Sequence, residues 1–147
     1  MRKPKILYAI QGTGNGHVAR AREIIPILQK YGDVDIALSS DQSQVDVGCS
    51  IRFRLSGLSF VYGGKGSISY LKTLQKNNLW RLLKEIAFFP VHDYDIILND
   101  FECTIAWAAR FRSKKIFGMG HQVSFLSAKS PRPVKKDWLG EFVLKWY

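Results

Sequence analysis

The chain has 147 residues, 46% of them hydrophobic, with 22 lysines and arginines against 12 acidic residues for a formal net charge of +10. That is one domain of ordinary size with enough apolar residues to bury a core. No apolar run approaches the roughly 20 residues of a membrane-crossing helix, and the basic start, residues 1–5, leads into too short an apolar run for a secretory signal.

Residues 6–10, Ile-Leu-Tyr-Ala-Ile, read as a first strand, and the pattern over 18–29 predicts a helix. Between them lies Gln11-Gly12-Thr13-Gly14-Asn15-Gly16-His17. Three glycines in five positions at a strand-to-helix turn let backbone approach a bound group and turn amide N–H groups toward it at the positive end of a helix. The loop is neither of two common phosphate-binding signatures. A dinucleotide fingerprint needs glycine where His17 stands, and a P-loop needs Lys-Ser or Lys-Thr after its last glycine. The later Gly63-Gly64-Lys65-Gly66-Ser67 fails as a P-loop too, because Gly66 parts the lysine from the serine. Without a ligand, the first loop would be a tight connection whose glycines relieve strain. His17 at its exit, at the carboxyl end of a first strand, favours a ligand loop.

Residues 34–38 form the second predicted strand. The third, 51–55, alternates apolar with basic residues, which predicts one face toward solvent and a place at or near an edge. Between them, 39–50 is a polar connection. The glycine-rich 59–67 leads into a long amphipathic helix predicted over 67–88. Its apolar stripe is Ile68, Leu71, Leu74, Leu79, Leu82, Leu83 and Ile86, with Lys72, Lys76, Arg81 and Lys84 mostly off it. An ordinary surface helix on a sheet explains that pattern, and docking at an anionic membrane or acceptor is the minority reading. Pro90 ends the helix. Residues 94–99 are a near-continuous apolar strand, as in the middle of a parallel sheet. A helix over 104–111 and a strand over 115–119 follow. Residues 138–147 begin an apolar, aromatic helix and stop, as in a chain cut in mid-structure. The alternation predicts an α/β fold with a doubly wound, mostly parallel sheet, in one domain over 1–147.

Strands in such a sheet end on one side, so three polar strand ends are expected to share a cleft: Gly12 to His17, Asp100 with Glu102, and His121 with Gln122. A histidine beside a carboxylate makes a general base for a hydroxyl. Each group also has a plainer reading. Asp100 and Glu102 suit a helix N-terminus as caps or as charges on its dipole, and His121 suits a satisfied loop residue. No histidine, cysteine and acid cluster has metal-ligand spacing, and Cys49 and Cys103 read as reduced thiols of a cytosolic protein. The positive charge seeks negative surfaces. With no nucleic-acid module, no arginine-rich tail and aromatics confined to apolar segments, nucleic acid is not the expected partner.

The stretch from Ile6 through Gly12-Thr13-Gly14-Asn15-Gly16-His17 to Ala21 resembles the opening of GT-B glycosyltransferases. These include the peptidoglycan lipid-linked N-acetylglucosaminyltransferase and related glycolipid synthases, which begin with a strand and a G-T-G-x-G-H loop. Asn99-Asp100-Phe101-Glu102, the helix containing Ala106-Trp107-Ala108-Ala109, and Gly120-His121-Gln122 resemble a bacterial glycosyltransferase-like subgroup with D-F-E and H-Q motifs. Asn15 departs from the glycine usual in the peptidoglycan enzymes, and Cys103 from the proline frequent in the subgroup.

The resemblance implies a Rossmann-like N-terminal domain of a metal-independent transferase that binds a sugar or lipid-linked acceptor. A C-terminal domain, missing from this chain, would bind the nucleotide sugar, a UDP sugar for instance, and this domain itself would bind no cofactor. His17 becomes the candidate base and Asp100 its helper. Gly12, Thr13, Gly14, Asn15, Gly16, Glu102, His121 and Gln122 become substrate-binding candidates. The isolated chain is then expected to be inactive, and the enzyme cytoplasmic, with the inner membrane face as a peripheral station. The competing functions are a non-catalytic module for a nucleotide or sugar phosphate, and a basic adaptor for membrane or nucleic acid.

Overall fold

The computed structural model describes residues 2–40, 46–59, 61, 69, 73, 75, 77–120, 127 and 129–131. Within them the chain runs β1 (Lys5–Gln11), α1 (Asn15–Leu28), β2 (Asp33–Ser39), β3 (Phe53–Leu55), α2 (Leu79–Phe88), a 3-10 turn (Val91–Asp93), β4 (Ile96–Asp100), α3 (Cys103–Phe111) and β5 (Phe117–Gly118). The strands form one sheet in the order β3-β2-β1-β4-β5, every neighbouring pair parallel. This is an α/β Rossmann-like fold, the architecture of the N-terminal half of a GT-B enzyme.

β1 lies at the centre, with Tyr8 opposite Ile36 of β2 and Leu98 of β4. Both sheet faces are covered, so β1 must be apolar throughout rather than alternating. Leu7 and Ala9 enter a core with Tyr94, Ile97, Ile105, Ala108 and Ala109. Tyr8 and Ile10 enter a second core with Val18, Ala21, Ile25, Ile36 and Leu38. The pleat thus sends α1 to one face and α3 to the other. Because the chain winds outward from β1 through β2 to β3 and then returns to β4, the crevice between the ends of β1 and β4 is the topological switch point, where open α/β sheets hold ligands.

The third strand is an edge strand, as its alternation predicts. The expected strand over 115–119 is only Phe117–Gly118 and that over 51–55 only Phe53–Leu55, other ends shift by a residue or two, and three differences matter most. α1 begins at Asn15 rather than residue 18, which places Asn15, Gly16 and His17 inside its first turn. Asp100 is the last residue of β4 rather than the first residue after it. The long helix expected over 67–88 is interrupted, and α2 starts only at Leu79. Two adjacent asparagines break it. Asn78 caps α2 by accepting from the Arg81 N–H at 3.0 Å. Asn77 ties to another loop, accepting from Ser59 N and donating to Ser59 O, both at 2.9 Å. Asparagine side chains compete with the helical ladder in this way, which favours them at caps over interiors. The glycine-rich 62–67 and the tail 138–147 lie outside the described residues.

Candidate active site at the switch point

Two chain segments meet at the crevice. β1 ends in Gln11, and the backbone turns through Gly12, Thr13 and Gly14 into α1. Gly12 is fixed by packing: its N–H donates to Ser39 O at 2.7 Å. A Cβ at Gly12 would sit 2.2 Å from Ser40 O and 2.8 Å from Ser39 O, so no side chain fits against that backbone. Gly14 and Gly16 differ. A Cβ at either would meet nothing within 4 Å. The glycines therefore differ: Gly12 closes the turn against fixed backbone, whereas Gly14 and Gly16 border open space. Gly14 at the N-cap has no side chain with which to cap α1, and the first turn carries no acidic residue. Behind the loop, Gln11 accepts from Ser39 Oγ at 2.7 Å and donates to Thr13 Oγ1 at 3.3 Å, which ties Thr13 to the sheet.

His17 projects from the first turn of α1 to the end of β4. Its Nδ1 lies 2.8 Å from Oδ1 of Asp100, whose side chain is fully buried. Arg20, one turn further along α1, grips the same carboxylate: Nε donates to Oδ2 at 2.9 Å and Nη2 donates to Oδ1. The Tyr8 hydroxyl donates to Oδ2 at 3.3 Å. Burial pushes the Asp100 carboxyl up, but the hydrogen bonds from His17 and Arg20, with the Arg20 charge beside them, outweigh it and hold the carboxyl below its ordinary range. Asp100 is thus a carboxylate, which only accepts, so the proton in the 2.8 Å bond belongs to Nδ1 of the imidazole. In a neutral ring with that tautomer, Nε2 is the nitrogen whose lone pair can accept a proton. Burial, and the neighbouring Asp100, raise the Tyr8 hydroxyl well above its ordinary range, so it stays a donor.

The residue after Asp100 helps seat the ring. Phe101 takes φ 57°, a left-handed conformation uncommon outside glycine, asparagine and aspartate. Its ring lies nearly parallel to the His17 imidazole, at 7° with centroids 6.1 Å apart.

Glu102 takes the capping role. It is fully buried at the N-cap of α3. Its two oxygens accept from Thr104 N at 2.9 Å and Ile105 N at 2.7 Å, while its own N–H donates to Asn99 Oδ1 at 3.1 Å. Burial raises its carboxyl above the ordinary range despite those backbone donors. Both oxygens are thus engaged by the start of α3, in a side chain enclosed by the protein rather than exposed at the crevice. Asn99, absent from the expected binding residues, holds the turn. His121 and Gln122 lie outside the described residues.

Arg20 is the member of this cluster that the motif-based reading passes over. The signal for it is its spacing: on a helix, i and i+3 share a face, so a residue three beyond a first-turn histidine meets the same partner. Among the described residues no group of three or more histidine, cysteine or acidic side chains could hold a metal ion.

The family model for glycosyl transferase family 1 matches residues 4–133. The chain belongs to glycosyl transferase family 1. That match covers the glycine loop, His17, Arg20 and Asp100 together, and the family is one of GT-B-type glycosyltransferases, whose reaction takes a donor and an acceptor. No curated protein and no solved structure matches the chain.

Proposed function

We propose that this chain is the acceptor-side domain of a metal-independent glycosyltransferase that moves a sugar from a nucleotide-sugar donor to an acceptor hydroxyl, with His17 as the base. The observation that carries the reading is the 2.8 Å bond between His17 Nδ1 and the buried Asp100 carboxylate. It leaves Nε2 to take a proton, and a positioned histidine with an orienting carboxylate is the usual base for a hydroxyl. As Nε2 accepts the acceptor's proton, the acceptor oxygen forms a bond to the anomeric carbon. The bond from that carbon to the phosphate oxygen breaks, and the nucleoside diphosphate leaves with the electron pair. The space before Gly14 and Gly16, at the uncapped positive end of α1, suits the diphosphate or an oxygen-rich acceptor. The nucleotide sugar itself is assigned to a second domain facing this one.

A lipid-linked acceptor on an anionic membrane fits the surface of α2. No helix among the described residues is long and apolar enough to cross a membrane. Yet Trp80 is 78% exposed and Leu83 57%, with the exposed Lys84 beside them. A helix with apolar and basic residues outward lies on a membrane of negative charge, and the chain's +10 strengthens that attraction.

The test is transfer by the full-length enzyme, read as release of nucleoside diphosphate in the presence of candidate acceptors. H17A is expected to lose roughly 10²–10⁴-fold in rate, the usual contribution of a positioned base, while melting near the parent temperature. Near-normal transfer by a folded H17A enzyme would remove the base role from His17 and leave the loop as a binding element.

A further inference from the structure

The Asp100 carboxylate is buried at the sheet end, and a lone buried carboxylate 2.8 Å from an imidazole would draw a proton onto that ring. The result would be a standing imidazolium–carboxylate pair, and an imidazole already protonated on both nitrogens cannot accept another proton. The structure places a third charge to prevent this. The Arg20 guanidinium spans both oxygens of Asp100, and its Nη2 lies 3.1 Å from His17 Nδ1. Arginine is suited to the task because its planar fork engages two carboxylate oxygens at once and remains charged at any working pH.

We infer that Arg20 is a positioning residue: by pairing both oxygens of Asp100 and standing beside the His17 ring, it fixes Asp100 as the acceptor of the Nδ1 proton and keeps the imidazole neutral and able to act as a base. Among the described residues, the groups that face His17 are Asp100 from β4, Arg20 from α1, the uncharged Phe101 ring and, through Asp100, the Tyr8 hydroxyl of β1. One negative and one positive charge thus meet at the imidazole. Removing the positive one leaves the negative one unopposed. The Arg20 side chain is 31% exposed, so its charge is partly screened but its two contacts to the buried carboxylate are not.

The importance of this arrangement for catalysis rests on the proposed base, but its test does not. The chain with 15N-labelled histidines is titrated by NMR, which reports both the charge of the His17 ring and which nitrogen holds the proton. At neutral pH the parent His17 is expected to carry its proton on Nδ1, with Nε2 bare. In R20Q the His17 titration midpoint is expected to rise by about one pH unit, the scale of a neighbouring-charge effect. R20K, which keeps a cation but loses the fork, should rise less, and D100N should move the midpoint down. If Arg20 only pinned α1 to the sheet, R20Q would lower the melting temperature and leave the midpoint in place. An unchanged midpoint in folded R20Q overturns the inference, and so does a parent His17 with its proton on Nε2. Should R20Q fail to fold, the parent tautomer and the R20K midpoint decide. Normal transfer by H17A would sink the base while leaving the R20Q shift standing, so the two readings fail separately.

Discussion

Oδ1 of Asp100 and Nδ1 of His17 lie 2.8 Å apart although 83 residues separate them in the chain. The sheet brings them together. Ile10 of β1 pairs with Asp100 of β4, so the strand that launches α1 and the strand that carries Asp100 end at the same level. That adjacency exists only because β4 returns to the side of β1 opposite β2, which makes the candidate site a consequence of strand order.

Asp100 should leave a mark on the pH dependence of stability. Its folded carboxyl titrates below the ordinary range, burial being outweighed by the hydrogen bonds from His17 and Arg20 and by the Arg20 charge. The stability it contributes is therefore complete above the ordinary carboxylate range, and is lost as the pH falls from that range through the lowered folded value. Melting temperatures from pH 7 down to pH 3 are expected to fall for the parent, and to fall less for D100N, which lacks the titrating group. Equal slopes for the two proteins would show that Asp100 is not held as a carboxylate in the fold.

The glycines separate structure from function within one loop. Gly12→Ala would force a Cβ against the Ser39 and Ser40 carbonyls, fixed backbone atoms that cannot step aside, so it is expected to cost several kcal/mol as an overpacked core position does. Gly16→Ala lies in the first turn of α1 with open space around it and should be neutral or stabilising by up to about 1 kcal/mol. Gly14→Ala should likewise melt near the parent. Denaturant unfolding reads all three. If ligand oxygens occupy the space before α1, the Gly14 and Gly16 variants lose transfer while keeping their stability. Full transfer by both would show that the space is not used.

Much of this was legible in the residues, for reasons that can be named. The apolar run of β1 and the alternation before Leu55 reported burial on two faces and on one, and those are properties of a strand's own side chains. The meeting of His17 with Asp100 followed from the rule that parallel strands end on one side. Arg20 was not legible in the same way, because a basic residue on an amphipathic helix usually faces solvent and only the register of β4 aims it inward. The break at Asn77 and Asn78 was also hidden. A stripe of leucines continues across them, yet Asn77 bonds to Ser59, 18 residues earlier, while Asn78 caps α2. Glu102 offered cap and ligand chemistry alike, and only its complete burial separates them.

The cap at Glu102 gives a prediction of stability alone. Glu102→Ala removes the acceptor for two N–H groups at the buried start of α3. Losing a cap costs about 1 kcal/mol, and buried donors left unpaired raise that to roughly 2–3 kcal/mol. Denaturant unfolding of the variant is expected to show that loss, with transfer by the folded full-length enzyme close to the parent's. A stable variant with abolished transfer would reverse the assignment and return Glu102 to the substrate.

The surface of α2 sets the final expectation. Trp80 and Leu83 lie three residues apart, one helical turn, so they face the same way, and Lys84 borders them. Burying such side chains in a bilayer interface contributes roughly 25 cal/mol per Å² of apolar surface, and each nearby lysine adds about 1 kcal/mol toward anionic lipid. Co-sedimentation with phosphatidylglycerol-containing vesicles should therefore be strong at low salt and weaken as salt screens the lysines. Vesicles of phosphatidylcholine alone should retain little protein. The double variant W80S/L83S, altered only at exposed positions, should keep its melting temperature and lose most vesicle binding, whereas a folded double variant that sediments like the parent would place the membrane contact elsewhere on the chain.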